Sequence, residues 1–102
     1  MPSIEASAVR KLIVACDAGM GSSVMLASTL KKQLKSTPVS VEHTPVDRIP
    51  GDADVILCHE GLAGRARAIS PDRVIVPFQL FIGDPAVAAV VAALKQGGRI
   101  DG

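Results

Sequence analysis

Lys11-Leu-Ile-Val-Ala-Cys16 forms a continuous apolar run that stops at Asp17-Ala-Gly-Met-Gly21 and passes through Ser22-Ser23 into a stretch where Leu26, Leu30 and Leu34 recur at helical spacing. An apolar run of this kind is what a strand buried on both faces of a parallel sheet requires. The two glycines make the next segment a tight turn, and Ser22 and Ser23 offer hydroxyls suited to a helix N-cap. Lys31, Lys32 and Lys35 then crowd the C-terminal turns, where cations suit the helix dipole. The reading is strand, glycine loop, helix.

The same alternation continues outward. Val39–Thr44 places Val39, Val41 and His43 on one face and Ser40, Glu42 and Thr44 on the other, the pattern of a half-exposed edge strand. Pro45–Asp54 reads as a connection that turns at Pro50-Gly51, and Val55-Ile-Leu-Cys58 is a third strand, again apolar throughout. A short helix is expected over Leu62–Ile69, ended by Ser70-Pro71, and a fourth strand over Val74–Val76, terminated by Pro77. The last helix has Asp84 as N-cap, Pro85 at its first position, Val87, Val90, Val91 and Leu94 on one stripe, and Gly97-Gly98 as its stop.

Four short strands and three helices predict an α/β fold, an open parallel sheet with right-handed crossovers. The two wholly apolar strands belong in the centre and the alternating one at an edge, which gives the order 2-1-3-4. In that order the chain changes direction between the first and third strands, so a ligand site is expected beyond their C-terminal ends, where Cys16 and Cys58 both fall. Residues 1–10 read as a flexible lead-in, 11–96 as the folded domain and 97–102 as a polar tail.

Composition narrows the function classes. The chain of 102 residues is 48% hydrophobic and 21% charged, with two Phe, no Tyr, no Trp and a formal net charge of +1. Stacking platforms for single-stranded nucleic acid are missing and there is no polyanion-binding field, so nucleic acid is not an expected partner. No leader pattern and no run of the roughly 20 apolar residues of a membrane span is read, so the expectation is a cytoplasmic protein that does not itself enter the membrane. Cys16 and Cys58 form neither a C-x-x-C pair nor a metal-spaced set, and no metal or cofactor is implied. No feature asks for a second copy, so a monomer is expected.

The loop after Cys16 carries the chemistry. Gly19 and Gly21 let main-chain N–H groups converge on an anion, and the helix start adds unpaired donors and the positive end of its dipole. The same donors that bind a phosphoryl group stabilise a thiolate, so the loop serves both nucleophile and product. Cysteine phosphatases need C-x5-R, because the arginine clamps the phosphoryl group and assists its hydrolysis. Six residues after Cys16 stands Ser22. Nor does G-x-x-x-x-G-K-[ST] fit around Gly19 and Gly21. A loop that binds a phosphoryl group at cysteine without that clamp suits a carrier.

The segment Ile13-Val-Ala-Cys-Asp-Ala-Gly-Met-Gly-Ser-Ser23 resembles the phosphorylation loop of the enzyme IIB components of the sugar phosphotransferase system, most closely the mannitol-specific type. The likeness continues through Ala53-Asp-Val-Ile-Leu-Cys-His59 and Leu62-Ala-Gly-Arg-Ala66 and so covers nearly the whole chain. The resemblance implies that Cys16 takes a phosphoryl group from a phosphohistidine on a IIA partner and gives it to a sugar bound in a membrane-embedded IIC permease. It also implies that Asp17, Ala18, Gly19, Met20, Gly21, Ser22 and Ser23 form the phosphate-binding loop, behind which lies a four-stranded parallel sheet with three helices. One departure is Cys58, which stands where a small or polar residue such as threonine is expected.

Other residues keep two readings. His59, at the edge of the site, either orients the phosphoryl group or meets the IIA partner, or is a solvated loop histidine. Arg65 and Arg67 either help to dock partners and attract phosphate or line an exposed helix face, with Arg65 matching the family pattern. Cys58 is structural, although its place on a strand adjacent to Cys16 leaves a regulatory disulfide open. His43 belongs to the surface. Asp17 is expected to cap loop N–H groups, because a carboxylate facing the phosphoryl group would repel it. Met20 either presents an apolar tip to partners or packs. Two rival functions remain: a regulatory IIB-like interaction domain, and a low-molecular-weight phosphatase or arsenate reductase, which the missing arginine disfavours.

Overall fold

The computed structural model describes residues 3–16, 21–80 and 83–101, with side chains for all of these but residues 21–23. In chain order the elements are β1 (Ser3–Glu5), β2 (Lys11–Cys16), α1 (Gly21–Gln33), β3 (Ser40–Pro45), β4 (Val55–His59), α2 (Ala63–Ile69), β5 (Val74–Phe78), α3 (Pro85–Gln96) and β6 (Arg99–Asp101), with single 3-10 turns at Ala6–Ala8, Val46–Arg48 and Glu60–Leu62. Strands β3, β2, β4 and β5 lie side by side in that order, all parallel. Counted along the four core strands this is the expected 2-1-3-4 arrangement.

Burial explains the order. In β2 every residue after Lys11 is buried, and in β4 every residue before His59, because each has a strand on both sides and helices on both faces. The edge strand β3 buries only Val41 completely. Alternation along the strands then builds two cores. Leu12 and Val14 of β2, Val55 and Leu57 of β4 and Phe78 of β5 pack under α1 and α3, against Leu26, Leu30, Val90 and Leu94. Ile13, Ala15, Ile56, Cys58 and Ile75 face the other way, against Ala63 and Ala66 of α2. The small alanines let α2 lie close to the sheet.

The strand starts are locked together by polar contacts. The Asp54 carboxylate accepts the N–H groups of Arg10 and Lys11 at 2.8 and 3.0 Å, and the Asp54 N–H returns to the Lys11 carbonyl at 3.0 Å. The pairing of Leu12 with Val55 follows directly from this clamp.

Several boundaries differ from those read in the sequence. Helix α1 starts at Gly21, so Ser22 and Ser23 lie inside its first turn instead of capping it. Strand β5 runs through Pro77 to Phe78. It is the outermost strand, with one side free of ladder bonds, and an edge position tolerates a residue without an N–H. The segments read as lead-in and tail pair with each other: β1 and β6 form an antiparallel ribbon in which Ile4 opposes Ile100. Ile100 is buried beside Val76 and Val90, and the ribbon closes the main core next to β5.

At α3 the expectation is met and extended. Asp84 caps the helix by accepting from Ala86 and Val87, and its second oxygen accepts the N–H groups of Gln79 and Leu80 at 2.8 and 3.0 Å. One carboxylate thus holds both the helix start and the end of the preceding strand. Gly97 ends the helix with φ 92°, a conformation other residues resist.

Candidate functional site

Cys16 is the last residue of β2, at the carboxyl edge of the sheet, where α1 departs to one face and the β4–α2 unit lies on the other side. This is the switch point at which open α/β sheets bind ligands. The thiol is 6% exposed and its Sγ donates to the Thr44 carbonyl at 3.7 Å, so a neighbouring strand orients the sulfur. Four residues, Asp17, Ala18, Gly19 and Met20, connect it to α1. These four fall outside the described residues, as do the side chains of Ser22 and Ser23. The first turn of α1 follows at once, and its main-chain N–H groups and dipole form the anion-seeking end of the helix.

The strand register places a row of residues across this edge. Cys16 pairs with Pro45 of β3, and His59 pairs with Phe78 of β5. The β2–β4 ladder ends at the pair of Ala15 and Cys58, and Cys16 and His59 are the residues that follow it on the two strands. Among the described residues, two contacts of the half-buried His59 ring can be named. Its Nδ1 accepts the Gly61 N–H at 3.2 Å, and its edge meets the Phe78 ring at a centroid distance of 6.1 Å and an interplanar angle of 87°. Of the expected auxiliary residues, His59 therefore stands in the row with Cys16.

Arg65 lies on α2, at the other face of the sheet, where its guanidinium pairs with Asp47 at 3.0 Å. The pair reaches from α2 to the turn that follows β3. Arg67 is exposed on the same helix, and His43 is exposed on β3 as expected.

Cys58 is removed from the site. It is fully buried among Ile13, Ala53 and Ala66 on the α2 face, whereas alternation along β2 turns Cys16 toward the α1 and α3 face. The two cysteines stand on neighbouring strands but on opposite faces, which corrects the reading that adjacency leaves a disulfide open. Burial pushes the Cys58 thiol up from its ordinary value, against an opposing pull from the Arg67 guanidinium, and keeps it neutral.

Two features were not read from the sequence. The Gln79 amide donates to the Glu60 carboxylate at 3.0 Å, linking the loops that follow β4 and β5. Large apolar side chains are exposed at Val24 and Met25 on the first turns of α1 and at Leu80, which lines a groove with Leu26, Leu30 and Val87 between α1 and α3. No periodicity reports them, because a helical pattern does not say which of its apolar side chains the rest of the fold covers. Among the described residues no group of three or more His, Cys, Asp or Glu side chains is gathered that could hold a metal ion, and no helix is long and apolar enough to cross a membrane.

Comparison with known proteins is consistent with this geometry. The family model of the lactose/cellobiose-specific IIB subunit of the PTS system matches residues 11–93. The chain is 39% identical over 93 residues to the PTS system mannitol-specific EIICB component of Halalkalibacterium halodurans, a match covering 89% of this chain and 20% of that protein. It is 38% identical over 90 residues to the mannitol-specific EIICB component of Bacillus subtilis, covering 86% and 19%. With the mannitol-specific EIICBA component of Vibrio cholerae it shares 34% identity over 98 residues, 94% of this chain and 15% of the relative. The chain thus spans about a fifth or less of the length of these relatives.

Proposed function

The chain belongs to the family of lactose/cellobiose-specific IIB subunits of the PTS system, a family of phosphotransferase components, and from that premise we propose that Cys16 is the residue that takes up a phosphoryl group and hands it on. The donor is a phosphohistidine of a IIA protein or domain, and the acceptor is a sugar alcohol of the mannitol kind held by a membrane-embedded IIC permease. The mannitol-specific names of the relatives support the choice of acceptor, and their fused EIICB and EIICBA forms support the choice of partners. The domain works at the cytoplasmic face of that permease. The observation that carries the reading is the place of Cys16, at the carboxyl end of a central strand and just before a helix N-terminus.

In the first transfer the Cys16 thiolate attacks phosphorus. The S–P bond forms as the N–P bond of the donor breaks, and that electron pair returns to the donor's imidazole nitrogen. N–H groups of residues 17–23 and the Ser22 and Ser23 hydroxyls stabilise charge on the equatorial oxygens. In the second transfer a sugar hydroxyl oxygen attacks the same phosphorus, sulfur leaves as thiolate, and the hydroxyl proton goes to a base of the permease. With serine at position 22 in place of an arginine clamp, the phosphocysteine persists until its acceptor arrives. The apolar side chains of Val24, Met25 and Leu80 support docking of protein partners around this end of the molecule.

The test is phosphorylation through the general phosphotransferase proteins and a IIA partner, with the added group located by mass spectrometry. The expected label lies on Cys16 and is absent from Cys16→Ser. A label on histidine, none on Cys16, or steady turnover of a generic aryl phosphate overturns the reading.

A further inference from the structure

We propose that the Nε2–H of His59 donates a hydrogen bond to a phosphoryl oxygen of the group carried on Cys16, an inference that rests on the carrier reading above. Register supplies the first observation. Ala15 pairs with Cys58, so the next residues along β2 and β4 are Cys16 and His59, side by side on strands about 4.8 Å apart. Alternation supplies the second. Cys58 and Ala15 are buried together on the α2 side, and Val14 and Leu57 together on the α1 and α3 side. Cys16 and His59, each two residues past Val14 and Leu57, therefore share that second side.

Two contacts of the ring, with Gly61 and with Phe78, supply the third observation. A nitrogen that accepts a main-chain N–H carries no proton, and Nδ1 accepts from Gly61. In the neutral imidazole the proton accordingly sits on Nε2. The edge contact with Phe78, the residue paired with His59 on β5, restrains rotation of the ring. A donor of fixed tautomer and restrained orientation thus stands next to the proposed phosphoryl-bearing residue. Hydrogen bonds to a dianionic phosphoryl group are charge-assisted and stronger than those between neutral groups.

Acceptance from Gly61 and donation to the phosphoryl group use different ring atoms, and substitution separates them. His59→Asn keeps an oxygen near the place of Nδ1 and loses the distal donor. His59→Gln brings an amide nitrogen near the place of Nε2 and loses the proximal acceptor. Each protein is equilibrated with a phosphorylated IIA partner, and the fraction of Cys16 carrying phosphate is read by mass spectrometry, with thermal unfolding measured alongside. The expected result is that His59→Gln holds the exchange equilibrium within about twofold of the wild type, whereas His59→Asn shifts it toward IIA by about tenfold, the effect of losing one hydrogen bond to a charged group. In the wild type, nitrogen NMR of the imidazole reads an unprotonated Nδ1, and phosphorylation moves the Nε2–H resonance downfield.

An equilibrium unchanged in His59→Asn, or shifted only in His59→Gln, overturns the donor role while leaving the carrier reading intact. An unmoved Nε2–H resonance in the phosphorylated wild type does the same. A wild-type protein that takes up no phosphate on Cys16 overturns the carrier reading and this inference with it.

Discussion

Ala15 of β2 and Cys58 of β4 stand opposite each other in the ladder and are buried together under α2, which turns Cys58 away from Cys16, the next residue along β2. A thiol oxidant applied to the native protein should therefore yield no Cys16–Cys58 disulfide. Peptide mapping after digestion checks this, and recovery of a peptide joining the two cysteines within one chain would show that the register is different. The fully buried Cys58, its thiol pushed up by burial, should also resist alkylation until the protein is unfolded.

Asp84 is the one buried charged side chain among the described residues, and it satisfies four main-chain N–H groups, those of Gln79, Leu80, Ala86 and Val87. Asp84→Ala removes a helix cap and a loop anchor together and should cost about 2–3 kcal/mol of stability by denaturant unfolding. Asp84→Asn should be nearly as costly, because an amide presents one oxygen and turns its NH2 group toward N–H donors.

The same residue carries a pH dependence. Chiefly the Gln79 N–H, and then those of Leu80, Ala86 and Val87, hold the Asp84 carboxyl below the ordinary carboxylate range, against the opposing effect of burial. A depressed carboxyl contributes stability that is complete above its unfolded value, about pH 4, and is lost as the pH falls through the lower folded value. Unfolding free energies measured between about pH 5 and pH 2 should thus fall more steeply for the wild type than for Asp84→Asn. Parallel curves would show that the carboxylate adds no pH-linked stability.

The division between what the residues announced and what they concealed is physical. Strands β2 and β4 are legible because burial on both faces demands a run of apolar residues, and α3 because Asp84, Pro85 and Gly97 each satisfy a local requirement of a helix end. The ribbon of β1 and β6 is not legible. Each strand has three residues with a single apolar side chain, and their pairing joins the two ends of the chain, where no local pattern reports it. Pro77 misled for a related reason, since a proline ends a strand or is tolerated in it according to whether that strand is outermost, a property of the whole sheet. At the site, the expectation of an anion-binding loop rests on the glycines and serines after Cys16, a local pattern that the sequence displays by itself. That Cys16 and His59 follow the same ladder pair, and that Cys58 turns away, can be seen only once the register is known.

Arg65 and Asp47 form an exposed pair, their side chains 51% and 67% accessible. Solvent screens such a pair, and ordering two flexible side chains offsets much of the attraction. A double-mutant cycle with Arg65→Ala and Asp47→Ala should give a coupling below about 1 kcal/mol. A larger value would mark the pair as a structural tie between α2 and the turn after β3.

Ile100 tests whether the terminal ribbon belongs to the folded unit. Its side chain is 4% exposed and packs with Val76 of β5 and Val90 of α3, so it fills the end of the core under α3. Truncation leaves a cavity that β6 cannot fill by shifting, because its pairing with β1 fixes it on one side and the N–H of Ala6, donated to the Gly98 carbonyl at 2.8 Å, anchors its approach. Ile100→Ala should therefore destabilise the protein by about 2–4 kcal/mol, as expected for a buried isoleucine and far above the effect of a surface change. The exposed neighbour Arg99→Ala should stay within about 0.5 kcal/mol. Equal, small effects at both positions would mean that the ribbon is peripheral, and that the four-stranded sheet with its three helices is stable without it.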